Sequence, residues 1–160
     1  MTSRQYESAD LLLKLYELRR EPELRAAREW FVTRFNPASA EEVFAAWMGP
    51  ESAPYRMVTT YWEMAATLVR HGAIDEAMFH AANTEYVAVI AKLGPFLPEL
   101  RRLSGTPRYL AELEALVTGM PDAEARLSTI RKYMRRKKAE HSVPRVGEQQ
   151  QAAAGEQLRA

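Results

Sequence analysis

The chain has 160 residues and no cysteine, and this absence removes several kinds of site at once. Disulfide scaffolds, thiolate-bound metals and cysteine nucleophiles all need a thiol. Glycine is scarce as well, with seven residues, and neither Asn-Gly nor Asp-Gly occurs. Because those dipeptides form the tight turns of β-hairpins, their absence argues against an all-β fold.

Long apolar runs are also missing. The run YVAVIA at 86–91 is far shorter than the roughly 20 residues that span a bilayer, so no transmembrane segment is predicted. Near the start of the chain, Glu7, Asp10 and Lys14 interrupt the apolar residues, which is unlike a secretory signal peptide. The sequence therefore predicts a soluble protein of the cytoplasm.

The common catalytic and ligand-binding motifs do not occur. The sequence has no Gly-x-x-x-x-Gly-Lys, Gly-x-Gly-x-x-Gly or Gly-x-Ser-x-Gly pattern, and neither His-Glu-x-x-His nor Glu-x-x-His. These patterns identify phosphate-binding loops, serine hydrolases and helical metal sites. We therefore predict no cofactor and no metal, and assign no catalytic residue. Catalytic groups can still converge in space without a motif.

The sequence is rich in signals that begin and end helices. Ser39 and Glu42 match a capping box, and Asp75 is placed as an N-cap. Gly72 is placed as a C-terminal stop after His71. These signals and the apolar spacing of three and four predict the following helices: 3–20, 22–35, 40–48, 55–70, 76–93, 98–103, 107–118 and a last helix to about 138.

The predicted architecture is an all-α, compact bundle of about seven helices in a single domain over residues 1–139. Residues 140–160 have almost no large apolar side chain and no periodicity that could bury a face. They are predicted to be a disordered C-terminal tail.

Residues 61–80 contain five titratable side chains that are candidates for a metal or acid–base site. They are Glu63, His71, Asp75, Glu76 and His80. A helical wheel puts Glu63 on a solvated face and His80 nearly opposite the apolar side of its helix, while Met57 and Met64 fall on the core side. A ligand in a bundle core must project inward. We therefore predict that the five residues cap and solvate two helices and their turn.

Glu85 is the carboxylate that the pattern places at the edge of an apolar stripe. We expect it to be partly buried, with an arginine or backbone partner. A weaker hypothesis is an enzyme with an unrecognised site near Glu85 and Asn83, beside the aromatic residues Tyr61, Trp62 and Tyr86.

The first helix is apolar over much of its circumference. Leu11, Leu15 and Leu18 form one line, and a second side is formed by Ala9, Leu12, Leu13 and Tyr16. Such a helix is either central to the fold or keeps a face for a partner. The leading hypothesis is therefore a protein–protein interaction module without catalysis. Its partner is another protein or a second copy of the chain in a homodimer, and the candidate self-association face is formed by Ala9, Leu12, Leu13 and Tyr16.

The strongest charge feature is near the end of the chain, where 126–138 holds seven Lys or Arg residues and no acid although the net charge is only +1. The candidate anion-binding residues are Arg131, Lys132, Arg135, Arg136, Lys137 and Lys138. They could hold phosphates of nucleic acid or an anionic membrane surface. The alternative is that they favour a helix C-terminus and solubilise the junction with the tail.

Three segments carry a family resemblance: ADLLLKLYELRREPELRAAREWF, YRMVTTYWEMAATLVRHGAID and KLGPFLPELR. They resemble a group of short bacterial helical proteins known only as a domain of unknown function, over roughly residues 9 to 135. The resemblance implies an all-helical bacterial protein. It implies no activity, ligand or site residue.

Overall fold

A computed structural model describes the backbone of residues 3–142 and the side chains of residues 3–137. Within that range the chain forms nine α-helices and one 3₁₀ helix, without a strand. The all-α bundle is confirmed. The elements are α1 Ser3–Arg20, α2 Pro22–Thr33, α3 Ala40–Met48, α4 Ser52–Arg70, α5 Glu76–Ala82, α6 Glu85–Leu93, the 3₁₀ helix Gly94–Phe96, α7 Leu97–Ser104, α8 Ala111–Thr118 and α9 Ala123–Ser142.

Helix α4 lies at the centre, packed against α2, α3 and α8. Because neighbours surround it, its buried arc is wider than one stripe and includes Trp62 and Thr59, both 1% exposed. Thr59 tolerates burial because its hydroxyl donates to the carbonyl of Tyr55, one turn earlier, at 2.9 Å. The placement of Met57 and Met64 on the core side was wrong, since they are 38% and 43% exposed.

Several predicted helix ends are confirmed at atomic detail. The Ser39 hydroxyl accepts from the backbone nitrogen of Glu42 at 3.2 Å, and the Glu42 carboxylate accepts from the nitrogen of Ala38 at 2.9 Å. Asp75 accepts from the nitrogen of Met78 at 2.8 Å. Gly72 has φ of +74°, a left-handed conformation that favours glycine. The predicted helix boundaries at Ser39, Gly72 and Asp75 are therefore correct.

Two predicted helices are interrupted or shortened by a residue with a non-helical backbone. The helix expected over 76–93 is two helices, because Asn83 is extended and its side-chain amide donates to the carbonyl of Phe79 at 3.2 Å. The helix expected from residue 107 begins at Ala111, since Leu110 has φ of +52°. The guanidinium of Arg101 donates twice to the carbonyl of Tyr109, at 3.0 and 2.9 Å, and holds this turn in place.

Helix α9 packs against α6 and α8 through an apolar line, in which Leu127 is buried and Ile130 and Met134 contact the core. The helix continues to Ser142, beyond the predicted end near 138. Residues 140–142 therefore extend α9, and the rest of the predicted tail, 143–160, lies outside the described residues. Over residues 3–142, no helix combines the length and apolarity needed to cross a membrane.

Candidate functional site

Helix α1 is anchored by one side only. Leu15 and Ser8 are buried, and the Ser8 hydroxyl accepts from the backbone nitrogen of Asp75 at 3.0 Å. The hydroxyl of Tyr61 donates to the carbonyl of Leu15 at 2.7 Å. Leu12, predicted to belong to the association face, instead packs partly against the core. These contacts fix which side of α1 faces solvent.

The outer side of α1 carries an apolar stripe formed by Tyr6, Ala9, Leu13 and Tyr16, called the α1 stripe below. Tyr6 is 65% exposed, Leu13 63% and Tyr16 54%. The structure thus brings three of the four predicted residues together on one exposed face. Tyr6 was missed, although it lies three positions before Ala9 and so on the same face.

Charged groups border the α1 stripe. Lys14 and Asp10 form an ion pair of 2.6 Å one turn apart, and this hydrogen bond raises the pKa of Lys14. The guanidinium of Arg20 lies over the ring of Tyr16, 5.8 Å from its centre. An apolar centre with a polar rim is the usual layout of a protein–protein interface.

A second feature is a cleft of about 240 Å³ between the turn after α2, the start of the 3₁₀ helix and α9. We call it the basic cleft. It is lined by Asn36, Pro37, Ala91, Lys92, Pro95, Phe96, Arg131, Met134 and Arg135. Arg131 and Arg135 were predicted as anion-binding residues, whereas Lys92 was not.

Lys92 is a buried cation, only 9% exposed. Its ammonium donates to the carbonyls of Phe31 and Phe35, the second at 2.6 Å, and lies 5.0 Å from the centre of the Phe31 ring. These carbonyls lie at the C-terminal end of α2, where the helix dipole favours a positive charge. Burial lowers the pKa of Lys92 to about 8, so the amine stays mostly charged at neutral pH.

The predicted basic residues of α9 fall into separate groups. Arg131 is half-buried, donates from Nε to the carbonyl of Ala91 at 3.1 Å and has Glu124 at 3.5 Å. Arg135 is exposed at the cleft and Lys132 is exposed on another side of α9. Arg136 and Lys137 both lie over the ring of Tyr133, at 5.8 and 6.0 Å. The side chain of Lys138 lies outside the described residues.

Comparison with known proteins gives a family without a known role. Residues 6–120 match the model of DUF4760, a domain of unknown function. This chain belongs to the DUF4760 family. No curated protein and no solved structure matches it. The matched residues include the α1 stripe and Lys92 and end before α9.

Two of the five titratable residues of 61–80 were placed wrongly. In this DUF4760 chain Glu63 is half-buried, and its carboxylate accepts from the backbone nitrogens of Glu112 and Leu113, at 3.1 and 2.8 Å. It caps α8 and does not face solvent freely. His80 is half-buried too, with Nδ1 2.6 Å from the Tyr86 hydroxyl and Nε2 3.2 Å from Glu76. Glu63 contacts α8 and His80 contacts α6, and a wheel drawn for one helix does not include contacts with other helices.

The hypothesis of a metal at these residues finds no ligand set. Among the side chains described, no group of three or more His, Asp or Glu is placed to hold an ion. Asp75 caps α5, and His71 follows the last residue of α4. Asp75 and His71 therefore lie at helix ends and the turn between them.

Glu85 has the arginine partner predicted for it. Arg28 donates from Nε to one Glu85 oxygen at 2.7 Å and from Nη2 to the other, and this bonding raises the pKa of Arg28. Nearby, Arg19 donates to the side-chain oxygen of Asn83 at 3.1 Å and lies 5.6 Å from the centre of the Trp62 ring. These contacts join α1, α2, α4 and α6 in a polar cluster. Two buried nitrogens of the cluster, Arg19 Nε and Trp62 Nε1, have no hydrogen-bond partner among the described groups.

Proposed function

We propose that this DUF4760 protein is an interaction module that forms a homodimer through the α1 stripe. The observation that carries the proposal is a line of large exposed apolar side chains on a helix whose opposite side is anchored in the bundle. Leaving such a line in water is unfavourable, and covering it removes apolar area from solvent. We place the dimer in the cytoplasm, as the sequence predicts.

The spacing of the α1 stripe favours an antiparallel pair of helices. Its steps of three, four and three positions read the same in both directions. In an antiparallel pair, Tyr6 therefore faces Tyr16 of the second copy, and Ala9 faces Leu13. A small residue opposite a large one lets the two helices approach closely. This arrangement places the same surface on both copies, as a two-fold dimer requires.

The charged border supports the same arrangement. In the antiparallel register, Lys14 of one copy comes level with position 8 of the other, between the carboxylates of Glu7 and Asp10. Opposite charges so placed favour this register over a shifted one. The stripe is about 15 Å long at 1.5 Å per residue and about 10 Å wide, so it covers about 150 Å². That area is well below the roughly 800 Å² per partner in a standard interface. We therefore expect a weak, concentration-dependent dimer.

The proposal is tested by the molar mass in solution over a range of protein concentrations. Leu13→Glu places a charge in the centre of the stripe and should weaken the dimer at least about tenfold. Met48→Glu is the matched control, because Met48 on α3 is 62% exposed and lies outside the stripe. Dimer formation equal in the two variants, or a wild type that stays monomeric at high concentration, would exclude this interface.

A second candidate function is electrostatic binding of nucleic acid or an anionic membrane by α9. It is supported by the exposed side chains of Lys132 and Arg135, neither of which forms an ion pair with a described side chain. Binding of this kind should weaken steeply with added salt. Titration of a fluorescent single-stranded oligonucleotide, and of vesicles with and without anionic lipid, tests it. Affinity that does not change with salt or with Lys132→Gln contradicts it.

A further inference from the structure

The basic cleft holds a buried positive charge that has no counter-ion among the described residues. The ammonium of Lys92 has three donors, of which two reach the carbonyls of Phe31 and Phe35. Within the described part of the chain, no carboxylate lies within ion-pair distance of it. A buried charge is costly unless it is paired. Lys92 lines the cleft, and its third donor has no hydrogen-bond acceptor among the described groups.

Two arginines border the same cleft, and no acidic residue is among the described side chains that line it. Arg131 is held by the carbonyl of Ala91 at 3.1 Å, which fixes its guanidinium at the end of α6. Arg135 follows one turn later on α9 and has no ion pair among the residues described. Arg131 also has Glu124 at 3.5 Å, so its charge is partly balanced. Lys92 and Arg135 have no carboxylate partner among the described residues, and an anion in the cleft relieves the repulsion between the cations.

The remaining walls are mostly apolar and the space is small. Pro37, Pro95, Phe96 and Met134 line the cleft with the three cations. Its volume of about 240 Å³ is below that of most sites for drug-sized ligands. A ligand of matching shape has a compact apolar body and one strongly charged end. A phosphate monoester carries between one and two negative charges at neutral pH and three acceptor oxygens.

We propose that the basic cleft binds a compact phosphate monoester, with the phosphate held by Lys92, Arg131 and Arg135 and the organic group against Phe96 and Met134. This site is independent of the α1 stripe. It differs from the charged surface of α9 as a whole, because it uses a buried lysine from α6 and only those α9 residues that line the cleft. Charge-assisted hydrogen bonds to phosphate give such a site its strength.

The experiment is a calorimetric titration of the full chain with phenyl phosphate at low salt. The wild type should bind one molecule per chain, and Arg135→Gln should weaken binding by about tenfold, the loss of one charge-assisted contact. Lys132→Gln removes the same charge from the same helix but not from the cleft, so it should change the affinity less than about twofold. Both substituted residues are exposed, and neither should affect folding.

Two further arms test the role of Lys92 and the source of the phosphate. Lys92→Met, checked for a folded helical spectrum, should abolish binding, and benzyl alcohol, which lacks the phosphate, should not bind the wild type. Leu13→Glu should bind phenyl phosphate as the wild type does, so that a failure of the dimer proposal leaves this one intact.

The site is overturned if the wild type shows no saturable binding or if Lys132→Gln weakens binding as much as Arg135→Gln. The site is also overturned if an oligonucleotide displaces phenyl phosphate and Lys132→Gln weakens oligonucleotide binding as much as Arg135→Gln does.

Discussion

The carboxylate of Glu63 lies 2.8 Å from the backbone nitrogen of Leu113, across 50 positions of sequence. Its other oxygen accepts from the nitrogen of Glu112 at 3.1 Å. The residue before α8, Leu110, makes no side-chain hydrogen bond to the first turn of α8. Glu63 of α4 caps that turn instead. A negative charge at this end also suits the helix dipole.

Loss of this cap should destabilise the protein. Glu63→Ala leaves two amide donors of α8 without their acceptor, and we expect the free energy of unfolding to fall by about 1–2 kcal/mol. Urea denaturation followed by circular dichroism measures it. Glu29→Ala, on the exposed side of α2, is the control and should have little effect. Equal midpoints for the two variants would show that the cap contributes nothing.

The pair formed by Arg28 and Glu85 should be energetically coupled. Both side chains are 21% exposed, so each would be left with poorly solvated charge if the other were removed. We expect a double-mutant cycle of Arg28→Met and Glu85→Gln to give a coupling of about 1–3 kcal/mol. The Lys14–Asp10 pair, with side chains 62% and 64% exposed, serves as the comparison. Additive effects at Arg28 and Glu85 would contradict the prediction.

Lys92 should make stability rise with pH in the alkaline range. Its pKa is about 8 in the folded protein, below the usual 10.5, because burial disfavours the charge. The unfolded chain therefore binds the proton more tightly between these values, so folding is favoured as pH increases from about 8 towards 10.5. Below about pH 8 both states are protonated and the full cost of burying the charge is present.

The measurement compares wild type with Lys92→Met between pH 7 and 9.5. The difference in unfolding free energy, wild type minus variant, should become more positive above about pH 8. The buried tyrosines are present in both proteins, so their contributions cancel in the difference. A difference that does not vary with pH would mean that Lys92 titrates as an exposed lysine does.

Most of the helices were predictable because their signals are local. Ser39, Asp75 and Gly72 act on residues within one turn of themselves, so their effect can be deduced without knowing the fold. The errors came from contacts across the bundle. Asn83 breaks a helix where Arg19 contacts it, and the turn before α8 depends on Arg101. No pattern along the chain specifies those partners.

The two candidate surfaces differ in the same way. The α1 stripe follows helical spacing, and the wheel identified most of it. Lys92 lies between the apolar run YVAVIA and Leu93. These apolar neighbours are the one local feature of the sequence that indicates its burial. Its position next to Arg131 depends on how α9 packs on α6, a contact between distant parts of the sequence. The basic cleft therefore appears only in three dimensions.

The most direct test of the central claim is disulfide cross-linking through the α1 stripe. The chain has no cysteine of its own, so Ala9→Cys and Leu13→Cys each introduce a single thiol. When the two variants are mixed and oxidised, the antiparallel dimer predicts that the disulfide between position 9 of one copy and position 13 of the other predominates. Predominance of the 9–9 and 13–13 products would contradict the antiparallel pairing, and absence of any cross-link at concentrations where the protein is dimeric would exclude α1 as the interface.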